Sequence, residues 1–278
     1  MPSAISPNSG SSRVAGTEDT TVRTAPTSNS ERFAAKPLTY GGTPAPLWLA
    51  AFERDPLPTL DLPECRRLIV VAPHPHDETL GLGAMIAQLI ASGVDVRVVS
   101  VSDGGAAQPG ATLSGRIRLS TTRRYELRRA TAVLGAAPPM RLGFPDGELA
   151  NHADRLTGAL VEILRSAGPG TWCAATWRGD GHPDYEAVGR AAAAACARTG
   201  VALLEYPVWM WHWATPADPV VPWDRARSVP APGWAVNRKR QAAQCYRSQL
   251  RPGRGESPPT LPPFVLQRLL SVGEVVFQ

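Results

Sequence analysis

The chain has 278 residues, 43% hydrophobic and 19% charged, which is enough apolar mass for one large α/β domain with a tail. Its net charge is +5, yet all but two of the 29 basic residues are arginine, the exceptions being Lys36 and Lys239. With so much Ala, Gly and Pro, this reads as the codon usage of a GC-rich genome. No arginine-rich helix interleaved with aromatics appears, so no nucleic-acid partner is expected. Cys65, Cys173, Cys196 and Cys245 are widely spaced, without a Cys-x-x-Cys pair. They read as buried thiols of a reducing cytoplasm.

In chain order, residues 1–34 are rich in Ser, Thr, Pro and Gly. They cannot bury enough surface to offset ordering entropy, and a disordered tail without a signal-peptide core is expected. Residues 35–64 form a Pro-punctuated lead-in with one short helix at 46–52. The domain proper spans 65–278. Apolar β-branched runs predict strands at 68–71, 94–101, 140–144, 171–177 and 201–206. Between them, helical periods fall at 79–92, 119–134, 154–166 and 185–198, with 106–117 as a loop. A helix at 234–249, another at 263–270 and an edge strand at 274–277 follow. Residues 207–213, PVWMWHW, place Trp209, Trp211 and Trp213 at the strand-like period of two. They suit either stacking on a sugar ring or packing against the sheet. This alternation predicts an α/β, Rossmann-like domain with a mostly parallel sheet and helices on both faces. The apolar stretch 191–204 is too short to span a membrane and is broken by Arg198 and Gly200. Gly81-Leu82-Gly83 is no dinucleotide fingerprint, because Ile86 stands where a third glycine belongs and the stretch lies inside a helix.

Two loops carry the chemistry. The first strand runs into His74-Pro75-His76-Asp77-Glu78, and the fourth into Gly181-His182-Pro183-Asp184-Tyr185. Both lie at carboxyl ends of strands, where open α/β sheets bind ligands. His74 and Asp77, three residues apart, can converge on one divalent ion, and imidazole with carboxylate suits zinc. The bland alternative has His74 ending the strand and Asp77 capping the helix, both facing water.

Together the two loops resemble the LmbE-like, or PIG-L, family of zinc-dependent de-N-acetylases. That family carries His-Pro-Asp-Asp-Glu after its first strand and His-Pro-Asp-His after a later one. The resemblance covers about residues 66–250, including Arg123-x-x-Glu126 and the Asp146-Gly147 turn. It implies a zinc ion on His74, Asp77 and the position of Tyr185. It also implies a general base at the position of His76, and His182 polarising the carbonyl or protonating the leaving amine. Arg123 and Asp146 match positions that hold sugar hydroxyls. His76 and Tyr185 depart from the pattern, standing where the family has Asp and His. Imidazole is competent as a base near neutral pH, whereas a phenol is a poorer metal ligand because it must lose a proton. A substitute metal site can be built from His74, His76 and Asp77, completed by Asp184 or His182. The candidates are therefore His76, His182 and Asp184 for catalysis, Arg123 and Asp146 for substrate, and His74, Asp77 and Tyr185 for Zn2+. The expected substrate is a small N-acetylglucosamine-type sugar or glycoconjugate. The alternative is a non-catalytic relative that keeps the pocket for glycan binding or scaffolding.

Overall fold

The computed structural model describes residues 28–108, 110–252 and 259–278. Strands β1 (Arg67–Ala72), β2 (Asp95–Ser102), β3 (Met140–Phe144), β4 (Thr171–Thr176), β5 (Ala202–Tyr206), β6 (Ala226–Val229) and β7 (Glu274–Phe277) form one sheet. Its order is β3-β2-β1-β4-β5-β7-β6. The first five strands are parallel, and β7 pairs antiparallel with both β5 and β6. Helices α1 (Asn29–Ala34) and α2 (Ala45–Arg54) precede the sheet, and α3 (Asp77–Ala91), α4 (Leu113–Leu134), α5 (Ala153–Arg165) and α6 (Pro183–Thr199) connect its strands. Helices α7 (Met210–Trp213), α8 (Gly233–Ala243), α9 (Arg247–Leu250) and α10 (Pro263–Ser271) follow β5.

Alternate residues of β1 face opposite cores, which is why its sequence is apolar without a break. Leu68 and Val70 join the side chains of α3, α4 and α8 on one face. Ile69 and Val71 join Leu156 and Leu160 of α5 and Val188 and Ala192 of α6 on the other. The Rossmann-like expectation holds: a mostly parallel sheet covered by helices on both faces. From β1 the chain winds outward to β2 and β3, then returns to lay β4 on the other side of β1. Connections leave in opposite directions at this point, opening a crevice between the carboxyl ends of β1 and β4. Both His-Pro loops issue there.

Five local expectations are corrected. The tail expected over 1–34 lies outside the described residues up to residue 27, but Asn29–Ala34 is helical. Ser28 accepts from the Glu31 backbone N–H, and the Glu31 side chain reaches back, a reciprocal cap that starts a helix. The loop expected over 106–117 ends at Thr112, whose hydroxyl accepts from Gly115 N and starts α4 early. The helix expected over 234–249 breaks after Ala243 into α8 and α9. The 274–277 strand is not an edge: β7 is buried along its length, and short β6, unforeseen in the sequence, takes the edge. Finally, 207–213 is not a strand. The Asp180 carboxylate accepts from the backbone N–H groups of Val208, Trp209 and Met210, turning the chain into α7.

Candidate metal centre and catalytic pocket

The first loop is held by side chains from distant elements. His76 has φ 130°, rare for a residue with a Cβ and worth roughly 1–3 kcal/mol of strain. The Gln249 side chain, donating to Pro75 O at 2.8 Å, helps hold the turn. Glu78 is fully buried and bonds Tyr246 and Thr79 through Oε1, while Oε2 accepts from His76 N at 3.2 Å. Burial pushes the Glu78 carboxyl up from its ordinary range. Gln249 and Tyr246 fall at the end of the helix expected over 234–249, and nothing in the sequence marks them as supports of this loop. The signal for Glu78 was its place inside the first motif.

His74 lies at the centre. Its Nδ1 is 3.5 Å from Asp77 Oδ2, within the 4–5 Å that a shared ion allows. Its Nε2 is 2.9 Å from Asp146 Oδ1 and 3.0 Å from Asp184 Oδ2. Burial disfavours a charge on this imidazole, but hydrogen bonds to Asp146, Asp184 and Asp77 raise it well above its ordinary value. Asp146, opposed by burial but bonded to His74, is lowered to about 2. Asp184 is likewise lowered, against burial, by His74 and by the backbone N–H groups of Gly147 and Leu149. Asp146 reaches this point from the turn after β3, two strands from β1.

Asp77 is committed elsewhere. Its Oδ2 accepts from His74 N at 2.9 Å, while Oδ1 takes the Tyr185 hydroxyl and lies 3.0 Å from His76 Nε2. Burial opposes its ionisation, but the two imidazoles hold it well below the usual carboxylate range. Burial first, then Asp77, pushes the Tyr185 phenol well above its ordinary value, so it stays protonated and donates. His74, Asp77 and Tyr185 are thus brought together, but the phenol spends its proton on the carboxylate. The set that fits a cation better is His74, Asp146 and Asp184, whose ligand atoms all lie within 4.8 Å of one another. One imidazole and two ionised carboxylates, with Asp77 behind them, leave an excess of negative charge suited to a divalent ion.

His182 and His76 both carry their proton on Nε2, but they leave different environments at Nδ1. His182 Nδ1 accepts from Asp184 N at 3.2 Å. Burial, then the charge of His74, lowers its pKa to about 4. It is therefore a neutral ring at pH 7 with its proton on Nε2. His76 Nε2 faces ionised Asp77, which places the proton there. Its Nδ1 is buried and has no partner among the described residues. Arg123, expected as substrate-binding, is 2% exposed. It donates to Gly104 O at 2.8 Å and approaches Thr260 Oγ1 at 3.4 Å, and its Nε is unpartnered among the described residues. A cavity of about 360 Å³ is lined by His74, His76, Arg123, Asp146, His182, Asp184 and Tyr185. All the predicted site residues except Asp77, which sits behind His74 and Tyr185, face this one space. Phe33, Leu38, Trp209 and Thr260 complete its wall.

Residues 69–196 match the sequence model of the family PIG-L, GlcNAc-PI de-N-acetylase. This segment is a PIG-L family member. It holds β1 through α6, and with them both His-Pro loops. Diacetylchitobiose deacetylase of Thermococcus kodakarensis is 30% identical over 128 residues, covering 45% of this chain and 47% of that protein. The 1D-myo-inositol 2-acetamido-2-deoxy-alpha-D-glucopyranoside deacetylase of Mycobacterium leprae is 32% identical over 162 residues, covering 50% and 53%. The chain spans about half the length of these curated relatives. Among solved structures, N,N'-diacetylchitobiose deacetylase from Pyrococcus horikoshii superimposes with a TM-score of 0.55 at 22% identity. The match covers 68% of this chain and 73% of that one, and shows the shared PIG-L fold. Among the described residues no helix is long and apolar enough to cross a membrane.

Proposed function

We propose that this chain is a metal-dependent hydrolase that removes an N-acyl group from an N-acetylglucosamine-type sugar or glycoconjugate. The observation that carries the reading is the cluster of His74, Asp146 and Asp184 beside two imidazoles, one with its Nδ1 free (His76) and one with its Nδ1 occupied (His182), at the switch point of a PIG-L segment. Its relatives bear names of deacetylases acting on acetamido sugars. A pocket that only bound glycans would have no need of three ionised carboxylates around one imidazole. The four cysteines carry no disulfide, which suits the cytoplasm.

His74, Asp146 and Asp184 would hold the ion, with zinc the first candidate because imidazole suits it. A divalent ion there supplies an acidified water and polarises the amide carbonyl. His76 Nδ1, with its lone pair bare and its ring oriented by Asp77, accepts the proton of the attacking water. His182 Nε2–H donates a hydrogen bond to the carbonyl oxygen as charge develops on it, and the proton that His76 took from the water passes to the departing amine. Arg123, on α4 after β2, and Asp146, on the turn after β3, orient the sugar hydroxyls. Asp146 thereby serves both ion and substrate.

The test is amine release from an N-acylglucosamine by protein of measured zinc content. The expected result is zinc-dependent turnover, lost on chelation and restored by the ion. His76→Ala should lower kcat about 100-fold or more while zinc stoichiometry is kept. Asp184→Asn should lower zinc affinity at least about tenfold. Full activity in His76→Ala would remove the assigned base. No turnover at any zinc concentration would remove the hydrolase reading.

A further inference from the structure

The segment before the PIG-L match closes one side of the pocket. Helix α1 lies across the second His-Pro loop. Asn29 Nδ2 donates to Gly179 O at 2.8 Å, Arg32 pairs with Asp218 at 2.7 Å, and Lys36 Nζ donates to Trp213 O at 2.8 Å. The loop is shaped to receive it. Gly181 has φ +91°, and a Cβ there would come within 2.9 Å of both Asn29 O and Phe33 Cβ. The Phe33 ring is thereby placed 5.4 Å from Trp209 and 6.0 Å from His182, centroid to centroid.

The cavity accordingly has two unlike sides. Arg123, Asp146 and Thr260 gather on the β2–β3 side, and Arg123 keeps an unpartnered buried N–H there. Phe33 and Trp209, the latter just after β5, lie beside His182 and carry no charge, and the only buried polar atom that Trp209 brings is an indole N–H without a partner among the described residues. A substrate whose carbonyl oxygen meets His182 and whose hydroxyls meet Arg123 and Asp146 turns its acyl tail toward the aromatic pair. We infer that Phe33 and Trp209 form an acyl subsite, and that the preferred substrate carries an acyl group longer than acetyl. This rests on the deacylating reading of the site.

The experiment compares N-acetyl-, N-butanoyl- and N-hexanoylglucosamine on the zinc-loaded full chain. It also measures binding of the same three compounds to metal-free protein by calorimetry. Each methylene that reaches the aromatic pair should favour binding and kcat/KM about fourfold, the transfer free energy of a buried CH2. The wild-type chain should therefore gain roughly fifteenfold from acetyl to butanoyl, two methylenes at about fourfold each. Phe33→Ala should flatten that slope, and Phe33→Leu should restore most of it, which mere loosening of α1 would not allow. Thermal unfolding of both variants checks that the fold is kept. A flat or falling slope in the wild type, or an undiminished slope in Phe33→Ala, would overturn the subsite. A slope that appears only with alkyl glycosides of N-acetylglucosamine would also overturn it, by assigning the wall to the aglycone. Chain-length-dependent binding without turnover would leave the subsite standing and remove the deacylating reading.

Discussion

The pKa values of His74 and His182, both in contact with Asp184, are displaced in opposite directions, so the two rings make opposite contributions to how stability depends on pH. The folded-state pKa of His74 is raised. Its contribution is complete below the unfolded value near 6.5 and is lost as pH rises through the folded one. That of His182 is lowered to about 4. Folding therefore loses stability as pH falls from about 6.5 towards 4, because the unfolded ring takes up a proton that the folded one refuses. The contribution of His74 thus declines above about pH 6.5, and that of His182 below it. An ion on His74 replaces the proton, so added zinc should raise Tm more at pH 8 than at pH 6. Scanning calorimetry at the two pH values checks this, and an equal zinc shift at both would place the ion away from His74. Tyr185 offers a second test. Tyr185→His removes the hydroxyl that occupies Asp77 and supplies an imidazole beside His74. Zinc affinity should rise at least about tenfold in a chelator competition, and an unchanged Kd would show that this corner takes no part in binding.

Among the elements, α3 is the one most dependent on others. It bends at Leu82, whose φ of −134° is not helical, and the break frees backbone N–H groups in its second half. Glu274 of β7 receives them: its two oxygens accept from Ala84 N and Met85 N at 2.8 Å, and Lys239 of α8 pairs with it at 2.9 Å. Both side chains are buried. Removing one partner of such a pair leaves an uncompensated charge, so Glu274→Ala should cost about 3–5 kcal/mol in urea unfolding. A loss below about 1 kcal/mol would mean that water replaces the carboxylate. The elements also show what could be read in advance. Strands β1 and β4 announced themselves because both faces are buried and their sequences are almost free of charge. Helix α7 did not, because its shape is imposed by Asp180, almost thirty residues earlier. Helix α1 was hidden by composition, although Ser28 and Glu31 at capping-box spacing, just ahead of Phe33, were a usable signal.

For the whole molecule, the two loops were legible and their meeting was not. Residues 74–78 and 181–185 stand out because imidazoles and carboxylates follow apolar runs. That Asp146 would join His74 depends on the sheet order, which brings the turn after β3 back to the switch point, and no local pattern encodes it. The same packing governs the thiols. Cys65, Cys173 and Cys196 are buried and Cys245 is half-buried, with burial pushing its thiol up. A disulfide reagent at pH 7 should label one thiol per native chain, slowly, and all four after unfolding. Rapid labelling of two or more would contradict the packing of α6 against the sheet.

The seat of α1 on Gly179 and Gly181 has a consequence for how new specificities arise. One wall of the cavity is written in residues 29–38, while its imidazoles are written in the two His-Pro loops much further along. Recombination or substitution within that short segment can therefore widen, narrow or re-line the mouth of the cavity without altering either loop. A library confined to positions 29–38 would vary what the cavity admits while every side chain of the His-Pro loops stays the same.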